Sequence, residues 1–423
     1  MTPSRTALVI VTGLDAAHSG RVSHALLARA GSVVVHHDVR QLRHGVVLRT
    51  VTRRTAAGLV EDRTAVELVH GCLSCTLRLD LLPLLHALGG EPDVDRIVLQ
   101  LDPALEPENL CWSIEHLVLD SVPARPDGTA ADRVEVAGVL AVVDGRTWLE
   151  DVTGGEELAD RGLAATPDDD RTLAQVGLGQ VAFADAVLVA GGPVDAWTAA
   201  RLDAVLDRLV SGVPRADVAV GPERLLAALG PDARRGRLSS MHDPLLPGRP
   251  PLGEDVGVSV IRFSAPRPFH PERLHEALDV LLEGVVCSRG RIWLASRHDR
   301  ALWMESAGQG LRMGDAGPWL ATLPDDSPEW ADVDPERQVA AALRWDPVHG
   351  DRHTEVAVLS HRQSGVAVIS ALDAALLTDQ ELAAGPAAWG ALPDPFGSWH
   401  EDPCEATPAP DDRASTTERE DRA

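Results

Sequence analysis

The sequence predicts an α/β fold, in which a doubly wound, mostly parallel sheet is followed by a smaller α+β C-terminal domain. Apolar runs of strand length alternate with helical patterns as far as Val220, which is typical of a parallel sheet with helices on both faces. Residues 230–255 are rich in Gly, Pro, Arg and Asp, as expected of a linker between domains. Residues 257–263 then alternate as a strand with one buried face.

These observations divide the chain of 423 residues, which is long enough for two hydrophobic cores. We expect a first domain over residues 1–229, a linker over 230–255 and a second domain over 256–400. The last segment, 401–423, contains mainly Pro, Asp, Glu, Arg and Thr, and this composition predicts a disordered acidic tail.

The composition and net charge of the chain argue against several classes of binding partner. The net charge of −25 argues against nucleic acid or an anionic membrane as a partner. The chain lacks an apolar run of bilayer length and a signal-peptide pattern, and its five cysteines form no regular framework. We therefore expect a cytoplasmic protein. The sequence also lacks lysine, so that all 39 basic residues are arginine.

The first strands precede a possible metal triplet. Residues 7–13, 33–38 and 46–51 are predicted strands. His36, His37 and Asp38 are all potential ligands, but neighbouring side chains of a strand point to opposite faces. At most His36 and Asp38 could converge on one ion.

A pair of cysteines lies between a predicted strand and a predicted helix that begins near Leu77. Cys72 and Cys75 have the C-x-x-C spacing that lets two sulfurs bind one soft metal ion. Cys75 should lie near the helix N-terminus, where the macrodipole favours a thiolate. The alternative is that both thiols are buried as small apolar groups.

The stretch Gly71-Cys72-Leu-Ser74-Cys75-Thr-Leu-Arg resembles the G-C-x-C-C-T-L-R-type loop of the CobW family, P-loop GTPases that handle zinc or cobalt. Ser74 replaces the middle cysteine of the family, which removes one soft ligand. Glu67, where the family has an acidic residue, and His70 are candidates to complete a metal site. The resemblance implies a P-loop NTPase-like first domain, zinc or another divalent metal as the ligand, and a metal-requiring client protein.

The same resemblance implies a phosphate loop, G-x-x-x-x-G-K-[ST], after the first strand. Here its residual residues are Gly13, Gly20, Arg21 and Ser23, with the glycines two residues too far apart and Arg21 in place of lysine. An arginine fork does not replace a compact ammonium group, and the added Asp15 would repel a triphosphate.

Two further nucleotide elements of the family are altered. Pro103 occupies the place of the glycine whose N–H senses a γ-phosphate, and proline has no N–H. Asp102 beside it is either a magnesium ligand or a cap for the next turn. The guanine-reading Asn-Lys-x-Asp is replaced by residues 190–193, Ala-Gly-Gly-Pro, which cannot make its hydrogen bonds.

The second domain resembles the CobW C-terminal domain through residues 284–295, 300–308 and 344–355. We expect its tryptophans to fill the core. The favoured interpretation is a metal-homeostasis protein that binds zinc through the cysteine loop, docks a client and has weak or absent GTPase activity. The alternatives are an active GTP-hydrolysing zinc metallochaperone with a remodelled phosphate loop, and a regulatory partner that binds neither ligand. The sequence assigns neither the client nor the oligomeric state.

Overall fold

The computed structural model describes residues 5–67, 77–119, 128–192, 194–240, 242–246, 248–324, 327, 328, 330 and 333–397. Two sheets organise these residues. The first sheet contains eight strands in the order β4-β3-β2-β5-β1-β6-β7-β8, and the second contains five in the order β12-β11-β10-β13-β9. The strands are β1 (Thr6–Thr12), β2 (Ser32–Asp38), β3 (Val46–Thr55), β4 (Gly58–Glu67), β5 (Arg96–Gln100), β6 (Val134–Asp144), β7 (Ala186–Ala190), β8 (Arg215–Asp217), β9 (Ser259–Ala265), β10 (Val285–Trp293), β11 (Arg300–Ala307), β12 (Gly310–Pro318) and β13 (Thr354–Ser360).

Helices connect the parallel strands and cover the second sheet. A π-helical turn, Leu77–Leu81, leads into the second helix. The α-helices are α1 (Ala16–Leu26), α2 (Leu82–Leu88), α3 (Pro107–His116), α4 (Trp148–Asp151), α5 (Leu173–Ala182), α6 (Ala196–Leu209), α7 (Pro222–Ala228), α8 (Pro271–Ala277), α9 (Pro335–Arg344), α10 (Gly365–Ala375), α11 (Asp379–Ala384) and α12 (Pro386–Trp389). Among the described residues, no helix is both long and apolar enough to cross a membrane.

Strand β1 lies at the centre of the first sheet because its side chains are apolar on both faces. Leu8 and Ile10 pack into one hydrophobic cluster, whereas Val9 and Val11 pack into another on the opposite face. Burial on both faces is the reason that a parallel strand appears as a continuous apolar run. The strands from β2 to β8 in the sheet pair in parallel, so the predicted mostly parallel α/β sheet is confirmed.

An antiparallel hairpin at one edge was not predicted. Strands β3 and β4 pair in antiparallel register from Val46↔Glu67 to Thr55↔Gly58, and β3 pairs in antiparallel register with β2. The side chains of β4 are exposed or half-exposed throughout, so the sequence offers no buried face to mark this strand. The hairpin brings Glu67 to the point where the cysteine loop begins.

The second domain is a wholly antiparallel sheet covered on one face by helices. Alternate residues of β9, including Ile261, Phe263 and Ala265, are buried and pack with α8 and α10. Trp293, Trp319 and Trp389 are at most 5% exposed and lie in one cluster. The expected role of tryptophans in the core is therefore confirmed for these three residues, but it is wrong for Trp345, which is 48% exposed.

The predicted linker is fixed to both sheets. The Arg235 backbone N–H donates to Asp185 Oδ1 (2.9 Å), whereas Asp185 Oδ2 accepts from the N–H of Val139 in β6 (2.9 Å). Further along, Arg291 of β10 donates to the backbone oxygen of His242 (2.7 Å). The first sheet ends at β8 and the second begins at β9, on either side of this segment, while the boundaries at 229, 255 and 400 stay predictions.

The two domains also contact each other directly. One hydrophobic cluster joins Ala141 and Val143 of β6, through helices α5 and α6, with Val286 and Leu359 of the second sheet. Arg201 of α6 donates a 2.7 Å hydrogen bond to Nδ1 of His361, which follows β13. Burial and two neighbouring arginines lower the pKa of His361 to about 4, so at neutral pH its imidazole is uncharged and can accept this bond.

Candidate functional site

The carboxyl ends of the parallel strands form the edge at which doubly wound sheets bind ligands, at the position where the strand order reverses. That position here is β1, which lies between β5 and β6. Strand β1 ends at Thr12 and helix α1 begins at Ala16, so only three residues connect them. This turn is much tighter than a loop that wraps around phosphate groups.

The N-terminus of α1 is closed by a side chain of the protein itself. Asp15 is the N-cap residue, and its Oδ1 accepts a hydrogen bond from the backbone N–H of His18 (2.7 Å). The first N–H groups of a helix have no partner within the helix, and a phosphate or a capping carboxylate can satisfy them. In this chain a carboxylate already does so.

The predicted residual nucleotide residues are not brought together at this turn. Gly13 lies in it, but Gly20, Arg21 and Ser23 lie inside α1, between one and two turns beyond its N-terminus. Arg21 is exposed, whereas Ser23 is fully buried and its hydroxyl donates to the backbone oxygen of Ser19 (2.9 Å). Helix α1 therefore starts before Gly20 and Arg21, the residues that the family resemblance places in the phosphate loop.

Gly13 permits the close packing of this turn against β6. A Cβ atom added at Gly13 would lie 2.3 Å from the backbone oxygen of Val142, a distance that real Cβ atoms do not show. By contrast, a Cβ at Gly20 would meet only the amide group of Gln100, at 3.6 Å and beyond. The two glycines of the predicted loop therefore have different structural roles.

The strand end after β5 holds its aspartate as a cap. Asp102 is 4% exposed, and its carboxylate accepts hydrogen bonds from the N–H groups of Val39 (3.2 Å) and Ala104 (3.1 Å). Burial raises the pKa of Asp102. Of the two alternatives left by the sequence, this geometry favours the cap. The carbonyl of Pro103 accepts from the Gln180 side chain (3.0 Å), so this turn too is held by internal bonds.

The third altered element is packed against its neighbour. The N–H of Gly145, after β6, donates to the backbone oxygen of Ala190 (2.8 Å), and a Cβ at Gly145 would lie 2.6 Å from the oxygen of Gly191. The loop after β7 is thus held against the loop after β6 at the described residues 190–192. Pro193, the last of the four residues in place of the guanine reader, lies outside the described residues.

The predicted metal loop is only partly described. Glu67 is exposed at the end of β4, and the next described residue is Leu77, so that His70, Cys72 and Cys75 lie outside the described residues. The helical turn that follows is anchored, because Asp80 accepts from Arg49 (2.6 Å) and lies 2.7 Å from Nε2 of the buried His37. The turn that follows the loop is therefore well anchored, whereas Glu67 before the loop is exposed.

The histidine triplet does not converge. Nδ1 of His36 lies 3.1 Å from the backbone oxygen of Gln100, while His37 contacts Asp80 from the other face of β2. Asp38 pairs with Arg40, and this ion pair lowers the pKa of Asp38. The alternation of side chains separates His37 from the other two groups, as the sequence analysis expected. His36 and Asp38, which the sequence left as a possible pair, are engaged with Gln100 and Arg40 instead.

The two cysteines that the structure describes, Cys111 and Cys287, are poor metal ligands. Burial raises the pKa of Cys111 to about 12 and that of Cys287 to about 11, so both are protonated thiols at neutral pH. His353 is also engaged, with Nδ1 2.8 Å from the oxygen of Asp351 and Nε2 3.0 Å from Arg344. Within the described part of the chain, soft thiolate ligands are therefore not available.

A charged cavity of about 350 Å³ lies between the domains. Two ion pairs hold charged side chains of its wall, Arg289 with Glu305 (2.8 Å) and Glu106 with Arg171 (3.2 Å). Burial raises the pKa of both Glu106 and Glu108 on its wall. Such internal pairing indicates a structural junction.

One constellation was missed by the sequence analysis. Among the described residues, Asp15, His18 and Asp144 offer ligand atoms that all lie within 4.8 Å of one another. They come from the β1–α1 turn, the first turn of α1 and the end of β6, which adjoins β1 in the sheet. The strand order that joins them cannot be read from spacing along the chain.

This fold defines a class of protein in which an α/β domain of the nucleotide-binding type is joined to an antiparallel α+β domain. The model of the "CobW/HypB/UreG, nucleotide-binding domain" matches residues 37–218, and that of the "Cobalamin synthesis protein cobW C-terminal domain" matches residues 258–376. The chain belongs to the CobW family, as its motifs indicated. The first match begins beyond the β1–α1 turn.

Curated relatives extend over most of the chain. The "Zinc chaperone Rv0106" of Mycobacterium tuberculosis is 44% identical over 405 residues, which cover 96% of each chain. The "Zinc-regulated GTPase metalloprotein activator 1" of Dictyostelium discoideum is 27% identical over 371 residues, 81% of this chain and 72% of that protein. Zn(II)-bound YjiA GTPase from E. coli aligns over 88% of this chain and 99% of its own, with 14% identity and a TM-score of 0.36.

We predict that Gly13→Ala and Gly20→Ala have opposite effects on stability. The Gly13 change should lower the free energy of unfolding by roughly 1–3 kcal/mol, because the new methyl group collides with backbone. The Gly20 change, inside a helix and with space around it, should raise it by up to about 1 kcal/mol. Urea denaturation of both variants measures this, and equal effects would contradict the placement of Gly20 in α1.

Proposed function

We propose that this protein acts in zinc homeostasis, binding zinc through the cysteine loop and having weak or absent GTP hydrolysis. The observation that supports weak or absent GTP hydrolysis is the Asp15 cap, because the helix end that would bind phosphate already has a carboxylate bonded to it. A triphosphate would have to displace this group and then meet its negative charge. No lysine is present in the chain to offset that charge.

Two further findings support reduced nucleotide binding. Asp102 is engaged with two backbone N–H groups, and Pro103 has no N–H to offer a γ-phosphate. The alternative is an active GTP-hydrolysing zinc metallochaperone with a remodelled loop. The name of the Dictyostelium relative, a zinc-regulated GTPase, supports that alternative.

Zinc is the metal that the relatives support. The Mycobacterium relative is named a zinc chaperone and the Dictyostelium relative is named zinc-regulated. In this chain Cys72 and Cys75 would supply thiolates, with the weaker candidates Glu67 and His70 as the harder ligands. The high pKa values of Cys111 and Cys287 leave the loop as the better source of thiolates.

Nucleotide binding is tested by calorimetry. We expect a slowly hydrolysed GTP analogue with magnesium to give no saturable heat at micromolar concentrations, because the cap and the missing lysine both oppose phosphate binding. Arg21→Ala should leave the titration unchanged, since Arg21 is exposed on α1. Micromolar binding that Arg21→Ala abolishes would favour the active GTPase instead.

Zinc binding is tested by competition with a chromophoric chelator. We expect Cys72→Ser with Cys75→Ser to remove one tightly bound zinc ion per chain, because the thiolates are its softest ligands. Cys111→Ala with Cys287→Ala is the matched control and should keep the full stoichiometry. An unchanged zinc count in the Cys72 and Cys75 variant would exclude the loop as a site.

The recipient of the metal, we propose, is a metal-requiring client that docks on the second domain. Helix α9 has no buried residue, and Val339 (60% exposed), Leu343 (82%) and the following Trp345 (48%) present apolar surface there. Leu343 follows Val339 by four positions, a spacing that places both side chains on one face of the helix. An apolar face of this kind marks an interaction surface.

Leu343→Glu should therefore prevent zinc-dependent enzymes from co-purifying with the tagged protein, because a charge would enter the apolar contact. Leu59→Glu, at an exposed apolar position of β4, is the control and should have no effect. Quantitative mass spectrometry of the co-purified proteins measures the difference. Equal recovery with both variants would exclude α9 as the docking surface.

A further inference from the structure

We propose that Asp15, His18 and Asp144 form a second binding site for a divalent transition metal ion, at the edge of the sheet where related folds bind nucleotide. The site is separate from the cysteine loop and uses no thiolate. Its ligands would be one imidazole nitrogen and two carboxylate oxygens, a set that suits zinc and neighbouring first-row metals better than magnesium or calcium.

The separations of the imidazole from the two carboxylates fit one shared ion, and all three ligand atoms lie within 4.8 Å of one another. Nδ1 of His18 lies 3.6 Å from Oδ2 of Asp15 and 3.7 Å from Oδ2 of Asp144. Ligand atoms about 2.1 Å from a tetrahedral zinc ion are about 3.4 Å apart. Both observed distances are too long for hydrogen bonds, so Nδ1 of His18 is not hydrogen-bonded to either carboxylate.

Backbone hydrogen bonds orient both carboxylates toward the shared centre. Oδ1 of Asp15 accepts from the N–H of His18 (2.7 Å), and Oδ1 of Asp144 accepts from the N–H of Arg146 (2.8 Å). In each aspartate the other oxygen, Oδ2, is the one that faces the imidazole. Outer-shell bonds of this kind hold metal ligands in place.

Unpartnered polar atoms supply an independent indication of a ligand. Nδ1 of His18 is buried and has no hydrogen-bond partner among the described residues. The hydroxyl groups of Thr12 and Ser19, residues that are 0% exposed, are also without hydrogen-bond partners there. A Cβ at Gly13 would lie 3.0 Å from the Ser19 hydroxyl, so this group faces the same turn. Buried polar groups in folded proteins normally have partners.

Charge and access also suit a cation. Within the described part of the chain, neither Asp15 nor Asp144 has an arginine in an ion pair, although arginine pairs with acidic groups throughout the molecule. Asp15 is 45% exposed, His18 15% and Asp144 19%, so the centre is shielded on one side and open to solvent on the other. The open side leaves room for water as a fourth ligand.

The test uses the full chain with Cys72→Ser and Cys75→Ser, so that thiolates cannot bind the added metal. We expect this protein to bind one Zn²⁺ in equilibrium dialysis. It should also bind one Co²⁺, with visible absorption but no thiolate-to-cobalt charge-transfer band. His18→Ala should abolish both signals. His24→Ala, an exposed histidine on the same helix, is the matched control and should keep them.

Asp15→Asn and Asp144→Asn keep an oxygen for the backbone hydrogen bonds while removing the charge, so these variants should fold. We expect each to weaken Zn²⁺ binding about tenfold or more, with the circular dichroism spectrum of the parent. Unchanged affinity in these variants, or in His18→Ala, would overturn the proposal. Complete loss of zinc from the Cys72 and Cys75 variant would also overturn the proposed site at Asp15, His18 and Asp144, but it would support zinc binding by the cysteine loop. The two proposed sites can therefore be excluded independently of each other.

Discussion

The bond between the Asp15 carboxylate and the His18 backbone N–H fixes where helix α1 begins, and with it the shape of the turn at the edge of the first sheet. The N-terminus of a helix attracts whichever anion can reach its free N–H groups. A residue of the same chain reaches them without the entropy cost of capturing a second molecule. Once this cap is made, α1 begins at Ala16 and the turn after β1 closes to three residues.

At the positions where the family resemblance places the other nucleotide elements, the residues of this chain make contacts inside the protein. Asp102 caps the turn that follows β5, the carbonyl of Pro103 holds Gln180, and the Gly145 N–H binds the oxygen of Ala190. The apolar framework needs none of the lost side chains, because β1 is packed by valine, leucine and isoleucine on both faces. A fold of this kind stays stable while its site changes, since the site lies in loops and the stability in the core.

The sequence predicts those parts of the fold in which burial leaves a pattern. Strand β1 and the second domain were expected from apolar runs and alternation, and the two family matches bear out the resemblance. The strand predicted over residues 66–69 overlaps only the end of β4, because the side chains of the earlier part of β4 face solvent. The start of α1 could have been found, since an aspartate followed by good helix formers is an N-cap signal. His18 and Asp144 could not be joined in this way, because only the strand order makes them neighbours.

The anchoring of the linker has a mechanical consequence. Asp185 fastens Arg235 to the first sheet, Arg291 holds His242 to the second, and a hydrophobic cluster spans the junction between them. The described residues of this segment therefore restrain the two sheets relative to each other. Any coupling between the edge of the first sheet and the proposed docking face on α9 would have to travel as small shifts of packed side chains.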